Sequence, residues 1–579
     1  MCGFVRIPGG LLKNAISIAA AALAVGMLPG AYAQTQKQQP STDIPKLVES
    51  IDVHVINVDV VVTDKKGNVI TGLKKDDFEI YENGVPKAIS NFYAVEGGKP
   101  TEVEGEGQAP APSPPAAPPS PRREEIPDTM KRRIIVYIDN LSMAPFNRNR
   151  VFQSMKEFVK TVMRPGDEAM VATFNRSMKV RVPFTRDPIQ IEQMLDAVAG
   201  ESAMGTTNAS ERKQIEDRIR ETDSYDEALS TARTYASSVE HDLRQSAESL
   251  NGLMTTLAGV EGKKVLILAS EGFPMQPGRE IFQYIDEVAN QKNWRFSGTI
   301  LEGMGFDSTS LIQSIARTAN ANGITMYTVH AAGLTGGNEM SAEHAQPTPV
   351  SVSQAIISNT TDSMRLMADM TGGVASIQTN NFAQAFRNIQ RDLDTYYSLG
   401  YRASTERVDR QRQLQVRVKN RNYIARSRQT FVEKSTFAEM NDKVVANLLY
   451  KTKQNDLKIL VRTGAPVAAD EDLFKVPVEI QIPMDSLTLL PQGDIEYVGG
   501  FDVYVAVANK DGDMSDVARK SHQLRVPSAD MARAKGKYYT YSVDLLMEKG
   551  LNRISVGVVD NISNVAGFAR EQVIAQDLR

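Results

Sequence analysis

Cysteine is almost absent: Cys2 is the single one in 579 residues, which excludes disulfides within the chain and thiolate metal sites. That usage fits an exported bacterial protein. Histidine is also scarce, with five residues scattered through different segments and none at a metal-ligand spacing. The chain carries no His-Glu-x-x-His, no Gly-x-Ser-x-Gly and no Gly-rich phosphate loop ending in Lys-Ser/Thr, so the best-known hydrolase and nucleotide signatures are missing. Beyond the first residues no apolar run is long enough to span a bilayer. Charge lacks a dominant sign: 66 Lys and Arg stand against 70 Asp and Glu, a net of −4, which argues against nucleic acid or an anionic membrane as partner.

What is present begins with a leader. Arg6 and Lys13 precede an Ala-rich apolar stretch, and Ala31-Tyr32-Ala33 forms a small-x-small cleavage site, so residues 1–33 read as a signal peptide. Residues 34–50 are a polar lead-in. Strand patterning fills 51–96, with Asp64-Lys65-Lys66-Gly67-Asn68 and Glu82-Asn83-Gly84 as turns. Residues 97–128 have little apolar bulk and a proline run, the composition of a disordered, semi-rigid spacer.

From 130 to 395 helix and strand patterns alternate, the signature of a doubly wound α/β domain. Its opening strand, Ile134-Ile135-Val136-Tyr137-Ile138-Asp139, runs apolar without alternation, as a strand buried on both faces does. Asp139 then falls at the strand's carboxyl end, where open α/β sheets place ligands. Lys263–Glu271 repeats the pattern, and Ile324–His330 and Val374–Gln378 read as further strands. A helical insertion occupies 205–262, either a solvated flank or a partner-binding arm. Strand patterns return in Tyr397–Tyr401, Leu414–Val418 and Tyr423–Phe431, within 396–432. Those in 51–96 are too few to form a stable sandwich alone, so the two groups are expected to share one β-sandwich into which the α/β domain is inserted. A connector (433–455) leads to a C-terminal region (456–579) whose alternating strands predict an immunoglobulin-like β-sandwich.

Several of these stretches carry a resemblance. The strand ending in Asp139, the Gly262-Lys263-Lys264 run before the second acidic strand end, Thr371-Gly372-Gly373, and Tyr396-Tyr397-Ser398-Leu399-Gly400-Tyr401 resemble the von Willebrand factor A (VWA) family, as do Val58–Asp64 and Asp77–Gly84. The likeness covers about 50–432 and is nearest to the VWA-related proteins of Acidobacteria-like bacteria. It implies a Rossmann-like fold and a metal-ion-dependent adhesion site, in which an Asp-x-Ser-x-Ser loop, a Thr and an Asp hold Mg²⁺. Onto that pattern fall Asp139, Thr206 or Thr207, and Glu271, with Ser142 out of register, while Leu141 and Met143 occupy the serine positions. Apolar side chains offer no oxygen to a hard cation, so the site reads as degenerate, with Mg²⁺ weakly held or absent. The other reading of Asp139, favoured by the missing ligands, is a carboxylate that caps a helix or accepts from nearby backbone amides.

The expected function is an exported, non-enzymatic protein-binding module for adhesion or envelope assembly, acting in the periplasm or outside the cell on a protein partner. Phe146, Phe273 and Met275 are its candidate apolar contacts. A purely structural envelope protein is the alternative. A hydrolase using Asp139 and Glu271 is a distant third, because no nucleophile or orienting group accompanies the carboxylates.

Overall fold

The structure, a computed structural model, describes residues 55–105, 131–294, 298–334, 349–402, 408–450 and 452–576. The expected signal peptide, the polar lead-in and most of the Pro-rich spacer lie outside the described residues. The chain is mixed α/β with several sheets, and its described residues divide into two compact units, Val55–Ala438 and Glu439 onward.

The first unit opens with β1 (Val55–Asp64), β2 (Phe78–Glu82), β3 (Val85–Lys87), β4 (Ile89–Glu96) and β5 (Lys99–Gly105). It continues with β6 (Arg132–Asp139), α1 (Pro145–Val162), β7 (Glu168–Phe174), β8 (Met178–Thr185), α2 (Pro188–Ala199), α3 (Gly205–Glu221) and α4 (Tyr225–Thr256). Next come β9 (Lys263–Ser270), α5 (Arg279–Lys292), α6 (Thr299–Gly303), α7 (Thr309–Ala321), β10 (Ile324–His330), α8 (Val350–Thr371), β11 (Ala375–Ser376) and α9 (Phe382–Asp394). It closes with β12 (Tyr396–Arg402), β13 (Gln411–Val418), β14 (Tyr423–Arg426) and β15 (Thr430–Val432), after which α10 (Thr436–Tyr450) leads into the second unit.

Six strands form the central sheet in the order β11-β10-β9-β6-β7-β8, parallel except for β8. All eight residues of β6 are buried, because β9 and β7 flank it and helices cover both faces. That is why its apolar run does not alternate. Ile134, Val136 and Ile138 pack against Phe152 and Met155 of α1, Leu195 of α2 and Phe386 of α9. Thr328 of β10 faces the other way, its hydroxyl donating to the Met364 carbonyl of α8 at 3.1 Å. In the insertion, Ser224 caps α4 by accepting from Glu227 N at 3.3 Å, and Ala228, Ala232 and Ala236 bury one face against Ile281 and Ile285 of α5.

Strands from before and after this domain interleave in two further sheets, β14-β1-β12-β4-β5 and β15-β13-β2-β3. Val58 stands opposite Leu399, and Ile80 opposite Val416. Their inward side chains share one core, with the Phe78 and Tyr397 rings 5.1 Å apart. Three details depart from the sequence reading. Lys99–Gly105, placed in the spacer by composition, is strand β5, because β4 offers an edge that pairs with it. Tyr423–Phe431, read as one strand, is split: β14 pairs with β1 and β15 with β13. The break falls where Gln429 N donates to the Met370 carbonyl at 2.9 Å, at the end of α8. The last strand of the central sheet is only Ala375–Ser376, and Gln378 beyond it has a positive φ of 50°.

The sandwich meets the central sheet at the amino ends of its strands. Lys263, first in β9, pairs with Asp59 at 3.2 Å and lies 3.1 Å from the centre of the Tyr396 ring. Arg132, first in β6, bonds within the α/β domain, donating to both Asp167 oxygens at 3.0 Å and to the Asp394 carboxylate at 2.8 Å, and the Asp394 carbonyl accepts from Gly98 N, between β4 and β5, at 2.8 Å. Ahead of β10, Asn320 Nδ2 donates to Thr430 Oγ1 at 3.0 Å and Asn322 accepts from Lys434 Nζ at 2.8 Å. Arg426 donates to both oxygens of Asp392 at 2.8 Å, and Tyr327 OH donates to the same carboxylate at 3.1 Å. Burial raises the Asp392 pKa, and Arg426 opposes that rise.

The second unit runs β16 (Leu460–Thr463), β17 (Val467–Ala468), β18 (Leu473–Pro483), β19 (Leu490–Gln492), β20 (Glu496–Ala508), β21 (Ala518–Pro527), α11 (Met531–Ala534), β22 (Tyr538–Glu548), β23 (Gly550–Asp560) and β24 (Ala566–Ala575). One antiparallel sheet has β18 flanked by β16, β17 and β22, and the other is built on β20, β23 and β24. Alternate residues of both fill one core, among them Val476, Ile480, Val543, Val503 and Val556. The outer face of the second sheet is covered by Met440, Val444 and Leu448 of α10, and Asn447 Nδ2 donates to Ser555 Oγ at 3.0 Å.

Removing the acceptor at the junction tests its weight. Asp392→Ala leaves the Arg426 guanidinium and the Tyr327 hydroxyl without their shared partner, a change expected to cost about 3 kcal/mol. Urea unfolding followed by circular dichroism reads that loss as a lowered midpoint, and an unchanged midpoint contradicts it.

Candidate functional site

The three segments expected to form a cation site do converge at the carboxyl ends of β6 and β9. Met204 N donates to the Asn140 carbonyl at 2.8 Å, Gly205 N to Met143 O at 3.0 Å, and Asn208 Nδ2 to Leu141 O at 2.8 Å. A Cβ on Gly205 would lie 2.4 Å from Ala144 N, so only glycine permits this approach. Gly272 carries the same demand on the other side, with φ +96° and Thr360 O 2.5 Å from where a Cβ would stand.

What fills the centre is a chain of hydrogen bonds. Asp139, 1% exposed, accepts from Leu141 N at 3.2 Å and Ser142 N at 3.3 Å through Oδ1, and from Ser270 Oγ at 2.7 Å through Oδ2. With its proton directed at Asp139, Ser270 accepts from Ser142 Oγ at 2.9 Å and from Gly272 N at 2.9 Å. Ser142 in turn accepts from Glu271 N at 3.0 Å. Every hydroxyl proton and every facing amide thus has an acceptor. Burial raises the Asp139 pKa, and the bonds from Ser142 and Ser270 counter that rise.

Glu271 faces elsewhere. Its Oε1 accepts from Ala144 N at 2.8 Å and Asn147 Nδ2 at 3.0 Å, placing a carboxylate on the amino end of α1. Ala144, the N-cap residue, has no capping side chain of its own, and Glu271 supplies the missing acceptor.

This donor set does not suit a divalent cation. Leu141 and Met143 are buried at 7% and 0% exposure and bring no oxygen, and both Asp139 oxygens face donors of the protein itself. Thr206 and Thr207, expected on a loop, stand exposed on the first turn of α3. Of the apolar candidates, Phe146 is 75% exposed and Met275 half-buried, whereas Phe273 is only 3% exposed. Phe273 is therefore not a surface contact: its side chain turns inward, and its N–H donates to Ser363 Oγ at 3.3 Å. Its loop is pinned to α8, where Asn359 accepts from Gln276 N and donates to Gln276 O, each at 2.8 Å.

Three groups escaped the sequence reading. Ser270 is the hub, and its position just before the acidic strand end is the only signal it gives. Arg148 is fully buried, donating to Asn140 Oδ1 at 3.1 Å, Ala199 O at 2.8 Å and Glu201 O at 2.9 Å. A cation in line with Phe152 and Met155 on the apolar face of α1 is a sign legible in the sequence. His330, 3% exposed, ends β10 in register with Ser270, and burial lowers its pKa to about 4 against the opposing backbone bonds of Glu271 and Gly333.

Two outcomes follow from this geometry. Asp139→Ala strands the Leu141 and Ser142 amides and is expected to cost about 2 kcal/mol in urea unfolding, against little change for a surface substitution such as Thr207→Ala. His330 is held neutral, so the unfolded chain binds its proton more readily and stability falls as pH drops from 6.5 towards 4. The contribution is about 3 kcal/mol. His330→Gln should flatten that part of the stability–pH curve, and an unchanged slope refutes the assignment.

No protein-family model matches the chain, and no curated protein matches it. Among solved structures it is similar to an aerotolerance-related membrane protein of Bacteroides fragilis, at 10% identity and TM-score 0.23 over 45% of this chain and 98% of that one. It is likewise similar to a von Willebrand factor type A protein of Catenulispora acidiphila, at 9% identity and TM-score 0.22 over 77% of this chain and 66% of that one. The PilB minor pilin of Streptococcus sanguinis is a third, at 10% identity and TM-score 0.25 over 58% and 88%.

Proposed function

We propose that this is an exported protein-binding module of the adhesion or envelope-assembly kind, a VWA-related chain of the Acidobacterial type whose cation site is degenerate. In this reading the leader is removed near Ala33, the α/β domain of 130–395 is an insertion in the first sandwich, and the C-terminal strands form an immunoglobulin-like module. Binding takes place at the carboxyl ends of the central strands, without Mg²⁺. No helix among the described residues is long and apolar enough to cross a membrane.

The observation that carries the reading is the combination of a rigid polar centre with large apolar side chains left in solvent beside it. Phe146 is 75% exposed and Leu334 64% exposed. Arg150 ties them together: its guanidinium lies 5.6 Å from the Phe146 ring centre and donates to the Ala332 carbonyl at 3.0 Å, two residues before Leu334. The junction with the sandwich occupies the opposite end of the sheet. An exposed aromatic on a fixed backbone is what interface cores use. The carboxylates that a hydrolase would need are committed elsewhere, Asp139 to Ser270 and Glu271 to the start of α1.

Capture of partners from the native cell envelope by the immobilised chain, compared between wild type and Phe146→Glu, tests the reading. The variant should retain at least about tenfold less of the partner while melting at the wild-type temperature. Undiminished capture by both Phe146→Glu and Leu334→Glu refutes it.

A further inference from the structure

The loops around Phe146 carry an uneven charge. Within 139–150, 174–182 and 199–209 the cations are Arg148, Arg150, Arg176, Lys179 and Arg181, against Asp139 and Glu201, with Glu271 adjoining from the end of β9. This runs opposite to the whole chain, whose net charge is −4. These carboxylates are engaged within the chain, Glu271 by Ala144 N and Asn147 Nδ2. Asp139 is buried in its hydrogen bonds, and Glu201 accepts from Arg181 Nη1 at 2.9 Å. Arg181, Arg148 and Lys179 together hold the Glu201 pKa down, the bond from Arg181 contributing most.

Arg176 and Lys179 remain exposed at the tip of the β7–β8 hairpin. Arg176 has a positive φ of 60°, a conformation tolerated there because the turn is closed by Asn175 N donating to Ser177 O at 3.2 Å. The hairpin tip follows Phe174, which stands in register with Asp139, so it lies beside the 139–144 loop. Arg148 packs towards the 199–201 segment, and Phe146, two residues earlier in α1, points to the other side with Arg150. The first turn of α1 therefore separates a basic half of the face from an apolar half.

Building on the protein-binding reading above, we propose that this face receives an acidic polypeptide segment bearing an apolar anchor. The anchor packs on Phe146 and Leu334, and its carboxylates pair with Arg176 and Lys179. Charge complementarity of this kind steers association and fixes orientation, and it falls with salt. Nucleic acid is the other polyanion such cations attract, but a face half made of exposed aliphatic and aromatic side chains, on a net acidic chain, suits a polypeptide better.

The test uses the full chain and three fluorescein-labelled probes of equal length: a peptide of alternating Glu with Phe and Leu, its Lys-for-Glu counterpart, and an oligothymidylate. Anisotropy titrations at low and at physiological salt should show binding of the acidic peptide only, weakened several-fold by salt. The double variant Arg176→Glu, Lys179→Glu should lose at least about tenfold in affinity with an unchanged melting temperature. No preference for the acidic peptide, tighter binding of the oligonucleotide, or indifference to the double charge reversal each overturns the proposal. Envelope capture that survives the reversal but is lost in Phe146→Glu overturns the acidic-partner inference alone. Capture indifferent to Phe146→Glu and Leu334→Glu overturns the protein-binding reading itself.

Discussion

A hydroxyl proton sits between two strand ends: Ser270 Oγ donates to Asp139 Oδ2 at 2.7 Å, and through it the carboxyl ends of β6 and β9 are joined. The consequences spread outward. Because Ser270 gives its proton to Asp139, it accepts from Ser142 and Gly272, and Ser142 accepts from Glu271 N. The Glu271 side chain is then directed at the start of α1, which fixes where Phe146 emerges. In a buried setting such a network is favourable only when every member is satisfied, and here each proton has one acceptor. Leu141 and Met143 complete the arrangement as buried apolar side chains that bring no oxygen to it.

The opposite end of the sheet answers a different need. There the α/β domain meets the sandwich through paired charges, Lys263 with Asp59 and Asp392 with Arg426, and through the hydrogen bonds of Asn320 with Thr430 and Asn322 with Lys434. Such pairs add little net stability but are expensive to break singly where the partner is buried, as at Asp392. One end of the sheet is thus occupied by the sandwich, while Phe146 stands exposed at the other.

Much of this was legible in the sequence, for physical reasons. The run Ile134–Ile138 and its aspartate announced a strand buried on both faces, and the alternation of helix and strand patterns over 130–395 announced the α/β sheet. Backbone pairing with a partner far along the chain was less visible, which is why Lys99–Gly105 read as spacer and why Tyr423–Phe431 read as a single strand. At the site, the reading of Asp139 as an acceptor of nearby backbone amides matches the bonds from Leu141 N and Ser142 N, whereas the Ser270 donor and the turn of Glu271 towards α1 gave no signal in the sequence. Phe273 shows the same gap from the other side: a large apolar residue in a loop reads as a contact until α8 is seen to cover it. The basic hairpin tip was hidden in a nearly neutral total charge, because its cations gather only in three dimensions.

Hydrogen bonds within the chain hold the loops of this face in place. Hydrogen–deuterium exchange at the amides of Leu141, Ser142, Ala144, Glu271 and Gly272, compared in excess Mg²⁺ and in EDTA, tests it most directly. The same strong protection is expected in both conditions. Protection that appears only with Mg²⁺, or rises with its concentration, contradicts it.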